Sequence, residues 1–587
     1  MIGLLRVAAL GVAGQSSPTT TAPCSVAKDG SKVTGVCTAV NSLHIPIAYR
    51  SILPILILGV GALLLLAVSA VIPKRSRPGF YSLLTVIIGG LALAASIWQW
   101  NDIGDHGAQI TIGTQVYYDR FSAFFMVLFS VATILSAVTA ESYLRREGLD
   151  GVEAYVLMLM AGTGAMLMAV SAGLIMLFLG LEIMSISLYV MAAYHRRRSQ
   201  SGEAGLKYFV LGAFSSAIFL YGVALIYGAT GSTQFQEMAN FLAANSLSNN
   251  GVLLAGMGLL IVGLGFKVAA VPFHFWTPDV YQGSPTPFTG YMAAVAKAAG
   301  FAGLLRVLNQ GLISQQVNWR PIIWVMAVLT LLVGSVLALA QRDLKRMFAY
   351  SSISQAGYVL VGVEAASNTG TSAALFYLFT YTFIIIGTFA VVSIIQGRGE
   401  ARNDLGAIRG LAKARPLLAA AMLVFLLAQA GVPFTSGFLA KFYVIEAAVE
   451  RGQYSLAIIA MLAAAVAAFF YLRVALLMYG SEEAVVPAGP ASESAAPAGA
   501  AGPGAAAGSG TDGGPGAGGE DPIMAGLEPV PSLDGATATA TLLDPPAEEE
   551  GVRLPMAVVL AVCAVFTIFA GVSSPIIDFA RHATTFV

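Results

Sequence analysis

The 587 residues are 57% hydrophobic and only 11% charged, against about 25% charged in soluble domains, which excludes a soluble globular chain and indicates a polytopic membrane protein. Thirty-one basic residues balance thirty-one acidic ones, so there is no electrostatic case for a nucleic-acid or acidic partner. Three cysteines without a C-x-x-C or Cys/His cluster leave iron–sulfur, zinc and haem readings without ligands, and no glycine-rich phosphate loop precedes a helix.

Residues 1–14 are apolar but interrupted by Arg6, and short for a cleaved signal peptide. Residues 1–46 are expected to form an extracytoplasmic tail. Cys24 and Cys37 within it are a candidate disulfide, because thiols oxidise outside the cytoplasm; two free thiols are the alternative. A hydrocarbon core of about 30 Å needs about 20 apolar residues per helix. Within 47–480, such stretches run at 47–72, 80–100, 120–141, 152–170, 173–194, 205–228 and 251–276. They continue at 288–308, 321–340, 350–363, 372–396, 416–449 and 454–479. Residues 481–552, rich in Pro, Ala and Gly and without a lysine or arginine, are expected to be a disordered cytoplasmic loop. A last apolar stretch, 554–579, lies within 553–587 and holds Cys563 as a packing residue. The fold expected is all-α, with about fourteen membrane spans.

Basic residues sort by alternate loops. Lys74, Arg75 and Arg77 follow the first span; Arg145 and Arg146 the third; Arg196, Arg197 and Arg198 the fifth. Arg342, Lys345 and Arg346 follow the ninth, and Arg398, Arg402, Arg409, Lys413 and Arg415 the eleventh. By the positive-inside rule these loops are cytoplasmic and both termini lie outside.

Four charges fall near the middle of apolar stretches: Glu182, Lys267, Lys297 and Lys441. Glu182 is about 14 Å from the outer turn, and the lysines 15–18 Å from their nearest span ends, at about 1.5 Å per residue. A central charge costs at least about 2.5–3.5 kcal/mol. Static ion pairing as helix glue is one reading, but one glutamate cannot neutralise three lysines; a chain of protonatable sites joined by water is the other. Lys207 lies six residues past Ser201, so its ammonium can snorkel to the cytoplasmic surface. Arg473 is a fixed charge that never loses its proton. His274 is a possible relay, its reference pKa being near neutral, or else a hydrogen-bonded histidine near the interface.

Two spans are interrupted, at Pro272 in the seventh and Pro433 in the twelfth. Proline removes an i→i−4 bond, and freed backbone groups at membrane depth must be buried in protein or line a hydrated cavity. Spans an odd number apart cross in opposite senses, so two matching broken helices suggest inverted five-helix repeats, spans 4–8 and 9–13.

At these breaks the sequence reads F-K-V-A-A-V-P-F-H-F-W-T-P-D-V-Y-Q-G-S-P-T-P (266–287) and G-V-P-F-T-S-G-F-L-A-K-F-Y (431–443). Between them stand A-V-A-K (294–297) and R-D-L-K-R-M-F-A-Y-S-S-I-S-Q-A-G-Y (342–358). Together these resemble the antiporter-like membrane-arm subunits of respiratory complex I, in the form found in NADH-quinone oxidoreductase subunit N, over roughly 47–480 and the last helix. The resemblance implies a proton-translocating subunit of a bacterial cell (inner) membrane complex passing electrons from NADH to quinone. Its neighbours would be other membrane-arm subunits, and FMN, iron–sulfur clusters and quinone would sit in partners, with no cofactor on this chain. It further implies a proton relay of Glu182, Lys207, Lys267, Lys297 and Lys441, with Lys267 held by Glu182. A stand-alone Mrp-type cation/proton antiporter and a passive assembly scaffold are the competing readings. The tail 1–46 and the loop 481–552 depart from the family pattern.

Overall fold

A computed structural model describes residues 22–23, 36–37, 48–71, 79–245, 250–400, 403–480, 552–573 and 575–584. The side chains of the disulfide candidates Cys24 and Cys37, and the loop 481–551, lie outside the described part. The helices are α1 Tyr49–Val71, α2 Phe80–His106, α3 Arg120–Glu147, α4 Val152–Val170, α5 Leu174–Ala192, α6 Ser199–Thr230 and α7 Phe235–Ala244. They continue with α8 Gly251–Val268, α9 Trp276–Gly283, α10 Thr286–Gly311, α11 Gln316–Leu339, α12 Leu344–Glu364 and α13 Asn368–Ile395. Last come α14 Pro416–Ala430, α15 Ser436–Glu450, α16 Tyr454–Tyr479, α17 Leu554–Val572 and α18 Pro575–His582. A hairpin of β1 (Gln109–Thr111) and β2 (Val116–Tyr118) joins α2 to α3.

Every apolar stretch of the sequence is met by a helix or a helix pair. Among the described residues twelve helices are long and apolar enough to cross a membrane. Helix α12 falls short in apolar character, since it buries Lys345, Ser351, Ser352, Ser354 and Gln355. The window 416–449 is two helices of 15 residues each, α14 and α15. Several helices run past their apolar stretch, α2 to His106, α3 to Glu147 and α6 from Ser199, and three boundaries move for a local reason. The seventh stretch ends its first helix at Val268 and resumes in α9 as far as Gly283. The tenth begins at Leu344, six residues before the apolar run. The window 554–579 stops at Val572, because Pro575 cannot continue the helical ladder. Its remainder, α18, is a separate amphipathic helix that buries Ile577 and Ala580 and lays Phe579 on Trp100 and Phe124, with centroids 4.3 and 4.9 Å apart.

Helices α10 and α13 form the centre: the most apolar 18 residues of α10 are 100% buried and those of α13 94% buried. Small residues allow this. A Cβ on Gly164 of α4 would stand 2.4 Å from the Met184 nitrogen of α5, and one on Gly334 of α11 2.5 Å from the Ser354 nitrogen of α12. Close backbone contact through small residues is how helices associate where water supplies no driving force.

The two ends of the bundle are pinned by buried charge. At one end Arg306 of α10 and Asp119 are both fully buried, with paired 2.7 Å bonds, a further bond to Ser122 Oγ at 2.8 Å, and the rings of Tyr117 and Phe121 on the guanidinium. At the other, which carries the arginine-rich turns, Glu400 accepts from Arg198 (2.6 Å), Lys345 (2.9 Å) and the Thr286 amide (2.9 Å) at the start of α10. Despite its burial, the Lys345 ammonium, the Arg198 guanidinium and the Thr286 amide hold the Glu400 carboxyl down at about 2. Arg198 and Lys345 count as water-facing loop charges in the positive-inside pattern; here Lys345 is fully buried.

Candidate functional site

The first break is built around Lys267. Helix α8 ends as Ala269 takes a left-handed conformation (φ 60°), followed by a cis Val271–Pro272 peptide. The freed groups are recovered locally: the Phe266 carbonyl accepts from Trp276 Nε1 at 2.9 Å, and the Val271 amide donates to Thr330 Oγ1 at 2.9 Å. Lys267, buried, donates to Ser185 Oγ of α5 at 2.6 Å and lies 5.5 Å from the ring centres of both Tyr189 and Tyr208. Trp276 stacks on Tyr208 and closes this aromatic pocket.

Glu182 stands one turn before Ser185 on α5. Its Oε1 is buried without a hydrogen-bond partner among the described residues, and no Glu182–Lys267 ion pair lies within 4.0 Å. The grip expected of Glu182 is therefore not direct: a serine hydroxyl occupies the ammonium's first contact. His274 is buried in the break with its ring 4.6 Å from that of Phe275.

Lys297 follows a π-helical turn, Met292–Ala296, in α10. Such turns replace i→i+4 with i→i+5 bonding and often mark functional sites. The buried ammonium donates to the carbonyl of Ser352 and, at 2.6 Å, to its hydroxyl. Ser352 Oγ also receives the Tyr381 hydroxyl at 2.9 Å and meets that of Tyr281 at 3.4 Å. Lys267 packs against Gly300, three residues after Lys297 on α10: a Cβ on that glycine would stand 3.3 Å from the Lys267 Cβ.

The second break places Gly431 (φ 87°) and Phe434 (φ 67°) around Pro433. Here the lysine itself repairs the helix end: Lys441 Nζ donates to the carbonyls of Gln429 (2.8 Å) and Ala430 (2.9 Å) at the end of α14, with the Tyr358 ring 5.0 Å away. A cation at a helix C-terminus is also favoured by the helix dipole.

A line of buried polar groups on α12 joins the last two lysines. Gln355 Nε2 donates to the Gln429 carbonyl at 3.3 Å and to the Tyr471 hydroxyl at 2.9 Å. The Tyr471 hydroxyl bonds Ser351, the neighbour of Ser352, and the Tyr377 hydroxyl bonds Gln355 Oε1. Lys297, Ser352, Ser351, Tyr471, Gln355, Gln429 and Lys441 thus follow one another at hydrogen-bond or adjacent-residue spacing. Ser351, Ser352 and Gln355 lie in the quoted 342–358 motif, yet nothing in its periodicity singled them out. Gln429 and Tyr471 carry no sequence signal beyond a polar atom within an apolar run.

Lys207 and Arg473 lie apart from both breaks and from this line. Lys207 is 43% exposed and pairs with Glu203 (2.6 Å) and Asp279 (2.9 Å), the arrangement its position near the start of α6 allows. Arg473 is exposed on α16 and donates to the Leu339 carbonyl at 3.3 Å. Among the described residues no group of three or more His, Cys, Asp or Glu gathers to hold a metal. Chemically, the arrangement offers three buried amines, each hydrogen-bonded only to neutral oxygens.

Residues 171–467 match the family described as NADH:quinone oxidoreductase/Mrp antiporter, TM. The chain is 44% identical over 437 residues to the NADH-quinone oxidoreductase subunit N of Trichlorobacter lovleyi, covering 74% of this chain and 88% of that one. Among solved structures it resembles a chain of respiratory complex I from Thermus thermophilus (TM-score 0.61, 35% identity, 72% of this chain and 89% of that chain). A chain of the Mrp complex from Dietzia shares the fold at 21% identity, with TM-score 0.73 over 92% of this chain and 97% of that chain. With its broken helices, buried lysines and these likenesses, the chain belongs to the NADH-quinone oxidoreductase subunit N family, multi-pass subunits of the complex I membrane arm.

Proposed function

We propose that this subunit moves protons across the membrane through Lys267, Lys297 and Lys441, driven by quinone reduction in partner subunits that carry the FMN and iron–sulfur centres. The arginine-rich end faces the cytoplasm, fourteen spans cross the bilayer with spans 4–8 and 9–13 as two inverted five-helix repeats, and both termini lie outside. The observation that carries the reading is the buried polar line from Lys297 to Lys441. Its hydroxyls, amides and carbonyls are polar partners that can hold water between the two amines, where hydrocarbon alone would exclude it.

Lys267 holds its proton when the Glu182 carboxylate is near, because an opposite charge favours the ammonium. When that carboxylate turns away, desolvation dominates and the amine releases the proton across water to Lys297. Lys297 passes it over water held along α12 to Lys441, which delivers it outward. A membrane potential opposes each complete crossing by about 2.3 kcal/mol per charge per 100 mV, so release has to be coupled tightly to quinone chemistry.

The test is Lys297→Ala and Lys267→Ala in the assembled complex, in inverted membrane vesicles. Protons moved per NADH oxidised are measured with a pH-sensitive dye. The reading requires a lower ratio, or electron transfer slowed in step with pumping; an unchanged ratio and rate overturn it. Cation–proton exchange by the purified chain, without NADH or quinone, would instead favour the stand-alone antiporter.

A further inference from the structure

At the arginine-rich end lies a buried imidazole that the relay does not use. His195 follows α5, one residue before the exposed Arg196 and Arg197, yet is only 4% exposed. Neither ring nitrogen makes a hydrogen bond among the described residues. The ring points at a carboxylate: Nε2 is 3.6 Å from Glu147 Oε2 at the end of α3. Glu147 is buried too, and is fixed by the Gly399 amide (2.9 Å) and Arg146 Nε (3.1 Å).

A buried imidazole without partners is costly, since its desolvated N–H and lone pair have lost their hydrogen bonds to water. Two arrangements relieve that: a water bridging ring to carboxylate, or a proton that turns the contact into an imidazolium–carboxylate pair. Both require reach to water, and the surface is one residue away. The charged groups of the surrounding elements are Arg146 and Glu147 of α3, Arg198 of the α5–α6 turn, Lys345 of α12 and Glu400 of the turn after α13. Arg198 and Lys345 share Glu400, and Arg146 holds Glu147 by its Oε1, one cation in excess over the two carboxylates; the carboxylate oxygen that faces the ring is Glu147 Oε2. Inward, the Tyr143 hydroxyl lies in the field of both Glu147 and Glu400. Glu400 bonds the Thr286 amide at the start of α10, eleven residues before Lys297, or about 16 Å at 1.5 Å per residue. The Ser284 hydroxyl, also buried there, has no partner among the described residues, and buried polar groups of this kind are where ordered water sits.

We infer that His195 with Glu147 is a proton-collecting site: the ring takes one proton from water at the arginine-rich face, becoming imidazolium against Glu147, and gives one up to water leading inward along the start of α10. This rests on the proton-translocating reading and adds to it the place where protons are gathered.

A collector matters most when protons are scarce. In inverted vesicles, His195→Gln should therefore lower the pumping rate about fivefold or more at pH 8.5 while staying within twofold of the parent at pH 6. A packing defect alone would give the same deficit at both pH values, and that flat ratio overturns the inference. Blue-native gels check assembly. If His195→Gln does not assemble, hydrogen–deuterium exchange at the imidazole C2 of the unaltered complex decides, read by mass spectrometry against exposed His106 and His582. Exchange within tenfold of those references, with an inflection in pH, supports the site; exchange a hundredfold slower without an inflection overturns it. Lys297→Ala is run alongside. If Lys297→Ala pumps normally, the relay reading fails; if only His195→Gln pumps normally at all pH values, this inference fails alone.

Discussion

Replacing Glu400 by Gln tests the idea that buried charge pins the arginine-rich end. The substitution keeps the shape and removes the charge that Arg198 and Lys345 share, leaving two buried cations beside a neutral amide. Breaking a buried pair in this way costs about 3–5 kcal/mol. A second route agrees: a carboxyl held at about 2 against an ordinary 4.5 corresponds to about 3 kcal/mol, at 1.36 kcal/mol per pKa unit. The sign follows from linkage. A depressed folded-state pKa contributes stability that is complete above 4.5 and lost as pH falls through about 2. Equilibrium unfolding of the detergent-solubilised complex by SDS, followed by tryptophan fluorescence, should therefore show Glu400→Gln less stable by about 3–5 kcal/mol, equally at pH 7 and pH 5. A loss below about 1 kcal/mol, the size of an exposed pair, would refute the reasoning, as would a gap that closes between pH 7 and pH 5. Adding Lys345→Met should recover part of the loss, because the second uncompensated cation goes with it.

Ser352→Ala removes the hydroxyl that Lys297 and Tyr381 share but keeps the carbonyl. A hydrogen bond to a charged group is worth about 1.5–3 kcal/mol, so the pumping rate, measured by dye quenching, should fall about tenfold or more with the complex assembled. Gly437→Ala would put a Cβ 1.8 Å from the Ala428 carbonyl oxygen across the second break; blue-native gels should show loss of the assembled subunit, and normal assembly would mean α14 and α15 are not held against each other there.

The lysines were legible because a charge inside an apolar run has few explanations, and the breaks because proline removes a hydrogen bond wherever it stands. Boundaries followed hydropathy only as far as it applies. Helix α12 starts six residues before its apolar run because its first turn serves the Glu400 cluster rather than lipid. The polar line along α12 escaped notice since serine, glutamine and tyrosine are ordinary in a helix of mixed character. Only the fold brings Gln355 to Gln429 and Tyr471, 74 and 116 residues away. Arg198, Lys345 and Glu400 were hidden for the opposite reason: basic residues next to spans read as water-facing, and their partner lies 202 and 55 residues off in sequence. That Glu182 acts on Lys267 came from family likeness; the hydrogen bond that the ammonium makes to Ser185 had no signal in the sequence.

The way Lys441 closes the end of α14 ties two events into one. Its ammonium supplies the hydrogens that the carbonyls of Gln429 and Ala430 lost at the break, so the terminal turn of that half-helix is firmer while the amine is charged. Reciprocity of coupled equilibria then applies: anything that strains or relaxes this turn from outside, a neighbouring subunit included, changes how readily the amine lets its hydrogen go.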